Sequence, residues 1–119
     1  MIFIVDDDES VRHSLVRLMR SVGFPAEAFA AGEDLLRKTP AGCDCVIIDV
    51  HMAGMTGLEL QRELNRRSEP PPIVMITAHD APETRRKAIE AGAVAFITKP
   101  FDDSTLLRAI SQATGCKEE

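Results

Sequence analysis

Four short runs in this chain, IFIV at residues 2–5, CVII at 45–48, IVMI at 73–76 and AFI at 95–97, are almost continuously apolar. A strand with one wet face alternates apolar and polar residues, whereas an unbroken apolar run belongs to a central strand covered on both faces. A fifth run, residues 26–30, places Glu27 among small residues and reads as an edge strand. Between the runs, apolar residues recur at helical spacing. Val11, Leu15, Leu18, Met19 and Val22 form a first helix that Gly23 stops, and Leu35 and Leu36 mark a short second one after Gly32. Leu58, Leu60 and Leu64 carry a third that ends near Arg67. Ala88, Ile89 and Ala91 give a fourth with a thin apolar face, closed by Gly92. Leu106, Leu107, Ile110 and Ala113 give a fifth, with Asp102 or Asp103 as N-cap.

Strand and helix therefore alternate five times within 119 residues. That order demands right-handed crossovers, hence one parallel sheet with helices on both faces and a single domain over 1–119. In such a sheet every strand's carboxyl end lies on the same edge, where ligands bind at the switch in strand order. Polar residues collect there. Asp6 and Asp7 follow the first strand, Asp49 ends the third, Thr77 ends the fourth and Lys99 follows the fifth.

Carboxylates brought together in one cleft raise one another's pKa unless a cation compensates them. An all-oxygen donor set suits a hard ion such as Mg2+. A lysine and a hydroxyl on the opposite rim are the donors that a phosphoryl group's oxygens require. A carboxylate in that setting can attack phosphorus and hold the group as an acyl phosphate. Each residue alone has a plainer reading: Asp as turn former or cap, Thr as strand former, Lys as solvated rim charge. Their coincidence at matching strand ends favours phosphoryl transfer onto an aspartate.

The 14 Lys and Arg against 19 Asp and Glu give a net charge of -5, which argues against this chain itself gripping nucleic acid. No apolar run is long enough to span a membrane, and MIFIVDDD lacks the pattern of an export signal. The three cysteines, Cys43, Cys45 and Cys116, are expected to be reduced thiols of a cytoplasmic chain, since Cys-x-Cys lacks the flanking ligands of a tetrahedral metal site.

The phrases VDDD at the first strand, IIDVHMAGMTGLEL around Asp49, ITAHD around Thr77 and GAVAFITKPF around Lys99 together resemble receiver domains of two-component response regulators. VRHSL and GAVAFITKPF are similar to the FixJ subgroup. The resemblance covers essentially the whole chain. It implies a flavodoxin-like (βα)5 doubly wound sandwich with strand order 2-1-3-4-5. It also implies a phosphohistidine kinase as donor and a signalling domain, not an enzyme on external substrates, that catalyses its own phosphorylation and dephosphorylation. By the same resemblance Asp49 is the phosphoacceptor and Asp7 the direct Mg2+ ligand. Asp6 acts mainly through metal-bound water, and the His51 carbonyl completes the protein ligands. Thr77 is the hydroxyl that swings toward the phosphoryl group, Lys99 the cation that pairs with it, and Phe96 the aromatic switch that moves inward. The Lys99–Pro100 bond is expected to be cis.

Two departures from the family pattern stand out. Ala53 occupies a position commonly held by Pro, which should loosen the loop presenting the His51 carbonyl. His51 and His79 stand two residues after Asp49 and Thr77, which in the family border the path of the hydrolytic water; the plainer reading has both rings pointing into solvent, and the alternative has phosphoryl lifetime varying with pH near neutrality. The implied output surface is the fourth helix, fifth strand and fifth helix, forming a homodimer on phosphorylation or releasing an effector. The chain reads as the receiver piece of a longer transcription regulator; the alternatives are a stand-alone receiver working by protein–protein binding and an unphosphorylated binding module. The complete set of Asp6, Asp7, Asp49, Thr77 and Lys99 speaks against the last. A small-molecule phosphohydrolase would need a cap insertion for which this length leaves no room. Asp8 is left as turn or N-cap residue.

Overall fold

The structure, a computed structural model, describes residues 1–38 and 43–115. Its elements alternate as read from the sequence: β1 (Ile2–Val5), α1 (Glu9–Ser21), β2 (Ala26–Phe29), α2 (Gly32–Arg37), β3 (Cys45–Asp49), α3 (Gly57–Asn65), β4 (Ile73–Thr77), α4 (Pro82–Glu90), β5 (Ala95–Thr98) and α5 (Asp103–Thr114). All strand pairs are parallel, in the order β2-β1-β3-β4-β5. Among the described residues no helix is long and apolar enough to cross a membrane. Cys116 lies outside the described residues, while Cys43 and Cys45 are free thiols. Burial pushes the Cys45 thiol up to about 12, which leaves it inert.

The period of two along each strand sorts the core into two layers. Phe3, Val5, Val46, Ile48, Met75 and Phe96 face Leu35, Leu60, Leu64 and Ala88 of α2, α3 and α4. Ile2, Ile4, Ile47, Val74, Ile76 and Ile97 face Leu15 and Met19 of α1 and Leu106 and Ile110 of α5. This two-sided covering explains the unbroken apolar runs of β1, β3 and β4. The run in β5 reads like theirs but forms the second edge: Phe96 and Ile97 are buried on opposite faces, whereas Ala95 and Thr98 are half-buried.

Local chemistry sets the helix starts. Asp8 caps α1, accepting from Ser10 N at 2.9 Å and Val11 N at 3.4 Å. Thr56 and Glu59 make a reciprocal capping box on α3, with bonds of 2.9 and 3.2 Å. Asp102 holds the N-cap position of α5 without a side-chain bond, and α3 ends two residues before Arg67. The thin face expected of α4 is real. Ala88 is its one buried residue, and Ile89 lies exposed, so apolar burial of about 1.5–3 kcal/mol per large side chain contributes little to holding this helix.

Candidate functional site

The carboxyl ends of β1, β3, β4 and β5 bring the acidic, hydroxyl and lysine side chains to one edge. Val50 N donates to Ile76 O at 2.9 Å and Lys99 N donates to Thr77 O at 2.7 Å, which fixes the loops beyond these strands against one another. The Lys99–Pro100 bond is cis, as the sequence led us to expect. Asp6, Asp7 and Asp49 offer carboxylate oxygens that all lie within 4.8 Å of one another. Asp6 is fully buried and Asp49 is 6% exposed, while Asp7 faces solvent.

Burial forces each inner carboxylate to find donors. Asp6 Oδ1 accepts from Asp8 N at 2.9 Å, and Asp6 Oδ2 accepts from Lys99 Nζ at 3.0 Å. The same ammonium stands 3.9 Å from Asp49 Oδ2, so one lysine spans the phosphoacceptor candidate and the deepest acid. His51 N contributes a longer bond of 3.4 Å to Asp49 Oδ1. These partners do not compensate the cluster. Burial first, and then the charge of Asp6, raise the Asp49 carboxyl from 3.8 to about 6, against the opposing pull of Lys99.

A divalent cation fits this arrangement. Three converging carboxylates face one lysine, the donors are all oxygen, and one acid is open to solvent where a hydrated ion would enter. Asp6, Asp7 and Asp49 are the side chains that would hold it.

Thr77 is fully buried, and its hydroxyl closes a local turn, donating to His79 O and accepting from His79 N, both at 3.1 Å. The imidazoles of His51 and His79, both exposed, meet edge to face with centroids 5.5 Å apart, so the rings touch each other instead of pointing separately into water. Phe96 is 7% exposed, covered on one side by the guanidinium of Arg85 at 4.8 Å from the ring centroid.

Three contacts were not visible in sequence. Arg12 Nη1 donates to Asp6 O at 2.8 Å, orienting the Asp6–Asp7 peptide from one turn into α1. Ala53 N donates to Asp7 Oδ2 at 3.3 Å, a bond that a proline could not make, so the loop is tied to the acidic pair where loosening was expected. Gly57 opens α3 against the backbone of the β3–α3 connection, its N donating to Val50 O at 2.9 Å. A Cβ there would stand 2.5 Å from Asp49 O and 2.7 Å from Val50 Cα.

Comparison with known proteins places the chain among similar sequences and folds. The family model described as Response regulator receiver domain matches residues 2–111. Nodulation protein W of Bradyrhizobium diazoefficiens is 44% identical over 116 residues, covering 96% of this chain and 51% of that protein. The solved structure of response regulator StyR superposes with a TM-score of 0.87 at 45% identity, covering 96% of this chain and 58% of that one. The FixJ-N crystal structure superposes with a TM-score of 0.88 at 33% identity, covering 99% of this chain and 95% of that one. The chain spans about half the length of the curated relatives it matches.

Proposed function

We propose that this chain, which belongs to the family of response regulator receiver domains, takes a phosphoryl group from a sensor histidine kinase in the cytoplasm onto Asp49. The observation that carries the proposal is the convergence of Asp49 with Asp6, Asp7 and Lys99 at one sheet edge. An Asp49 carboxylate oxygen attacks phosphorus, the P–N bond of the donor phosphohistidine breaks, and the leaving imidazole keeps the electron pair and takes a proton. Asp6, Asp7, Asp49 and the His51 carbonyl would hold Mg2+, which when bound would supply positive charge to the transferring phosphoryl oxygens. Lys99 stands close enough to exchange part of its hold on Asp6 for a phosphoryl oxygen. Thr77 releases the His79 turn to donate its hydroxyl to another.

The signal then leaves through Phe96 and the α4–β5–α5 face, which forms a homodimer or frees an output domain controlling transcription. Relatives twice this length include named transcriptional regulators, which supports an output segment of that kind.

The metal assignment has its own test. Asp7→Ala is expected to weaken Mg2+ binding by at least about tenfold in calorimetric titration, the effect of losing one charged ligand from a small set. Asp8→Ala should leave Mg2+ affinity unchanged and cost about 1 kcal/mol of stability through its lost N-cap. Equal Mg2+ affinities in parent and Asp7→Ala would overturn the assignment.

A further inference from the structure

We infer that Arg85 is the positioning residue that holds the switch in its resting arrangement, by clamping Phe96 and α4 to the loop after Thr77. The inference rests on the reading of Phe96 as the switch. Arg85 touches three places at once. Its guanidinium lies over the face of the Phe96 ring at 4.8 Å, its Nη1 donates to Phe96 O at 3.4 Å, and its Nε donates to Asp80 Oδ1 at 3.4 Å. One side chain of α4 therefore joins β5 to the β4–α4 loop.

The surroundings make that clamp decisive. Since Ala88 alone is buried, α4 is held largely by polar contacts. At its carboxyl end, Gln61 Nε2 donates to Ala88 O at 2.9 Å and Asn65 Nδ2 to Ala91 O at 2.8 Å, both from α3. Arg85 and Asp80 make the corresponding contacts nearer its amino end. The two attachments differ in kind. Gln61 is buried and its bond short, whereas the Arg85 bonds are long and the Arg85 and Asp80 side chains are about half exposed. Such contacts release at small cost, so the amino end of α4 is the end that moves.

Movement there is tied to the phosphorylation site by sequence. Thr77 Oγ1 bonds both backbone groups of His79, one residue before Asp80. Drawing Thr77 toward a phosphoryl group breaks that turn and shifts Asp80, which removes one leg of the clamp. The ring of Phe96 is already covered, so its rearrangement begins with loss of the Arg85 contact and not with entry into an empty site. An interaction present only in the resting arrangement opposes the active one, and linkage makes its removal favour both phosphorylation and what phosphorylation promotes.

The test uses Arg85→Met, which keeps an apolar stem over the ring, and Arg85→Lys, which keeps the charge but loses the planar fork. Phosphorylation by acetyl phosphate is expected to run about three- to tenfold faster in Arg85→Met, the range of one part-exposed cation–π contact with its hydrogen bonds, and by less in Arg85→Lys. In aromatic carbon–proton NMR spectra without any phosphoryl donor, the Phe96 signals, one set among five phenylalanines, should shift in the same order. A rate equal to or below the parent's in Arg85→Met, or an unmoved Phe96 spectrum, would overturn the clamp. Absence of phosphorylation in the parent itself would overturn the proposed function instead, and the ring spectrum would then decide the clamp alone.

Discussion

Gly57→Ala is expected to lower the melting temperature by more than about 10 °C, corresponding to roughly 3 kcal/mol for a domain of this size. The added methyl would meet Asp49 O at 2.5 Å and Val50 Cα at 2.7 Å. These are backbone atoms of the last residue of β3, the phosphoacceptor candidate, and of the residue after it, and no flexible side chain can yield in their place. Relief requires α3 to retreat, which breaks the Gly57 N to Val50 O bond and pulls on the Thr56–Glu59 capping box. A shift of Asp49 is the other route, so phosphorylation should slow together with the loss of stability. Thermal unfolding followed by circular dichroism checks the prediction. A melting temperature within about 2 °C of the parent's would show that the close approach is not a constraint.

Asp49→Asn is expected to stabilise the metal-free chain at neutral pH while removing the proposed phosphorylation. The folded chain holds the Asp49 proton up to about 6, while the unfolded chain releases it near 3.8. Between those values the native state binds more protons, so this group's contribution to stability falls as pH rises. Well below 3.8 both states are protonated and the variant gains nothing; the gain grows as pH rises and levels off above about pH 6.5, on the order of 3 kcal/mol. Urea unfolding in chelator, parent against variant across pH 4–8, isolates this group from the other acids. Added Mg2+ should then stabilise the parent more than the variant, because the ion compensates the charge that asparagine lacks. A variant no more stable than its parent at pH 7.5 would contradict the picture of an undercompensated acidic cluster. On the proposed function, activity and stability would oppose each other at a single buried side chain.

The alternation of strands and helices was legible because burial on both faces leaves an unbroken apolar run in β1, β3 and β4. The same signal could not mark β5 as an edge, since two inward side chains on opposite faces look like a central strand. The placement of Asp6, Asp7, Asp49, Thr77 and Lys99 at one edge followed from parallel topology alone. Two opening aspartates separated cleanly from the third: Asp8 spends its carboxylate on the α1 amides, whereas Asp6 and Asp7 turn toward Asp49.

The residues that were not legible act through backbone groups or through space. Arg12 and Ala53 reach Asp6 and Asp7 by a carbonyl and an amide, which no side-chain pattern encodes. Arg85 meets Phe96 across an α4–β5 contact with no periodic signature. Gly57 reads as one more glycine at a helix start until the approach of Val50 is measured.

The most direct measurement incubates the chain with Mg2+ and acetyl phosphate and resolves it by phosphate-affinity electrophoresis beside Asp49→Asn. The expected result is a retarded band in the parent that requires Mg2+ and is missing from the variant. A retarded band of equal intensity in Asp49→Asn, or none in the parent, would contradict the assignment of Asp49 as the residue that receives the phosphoryl group.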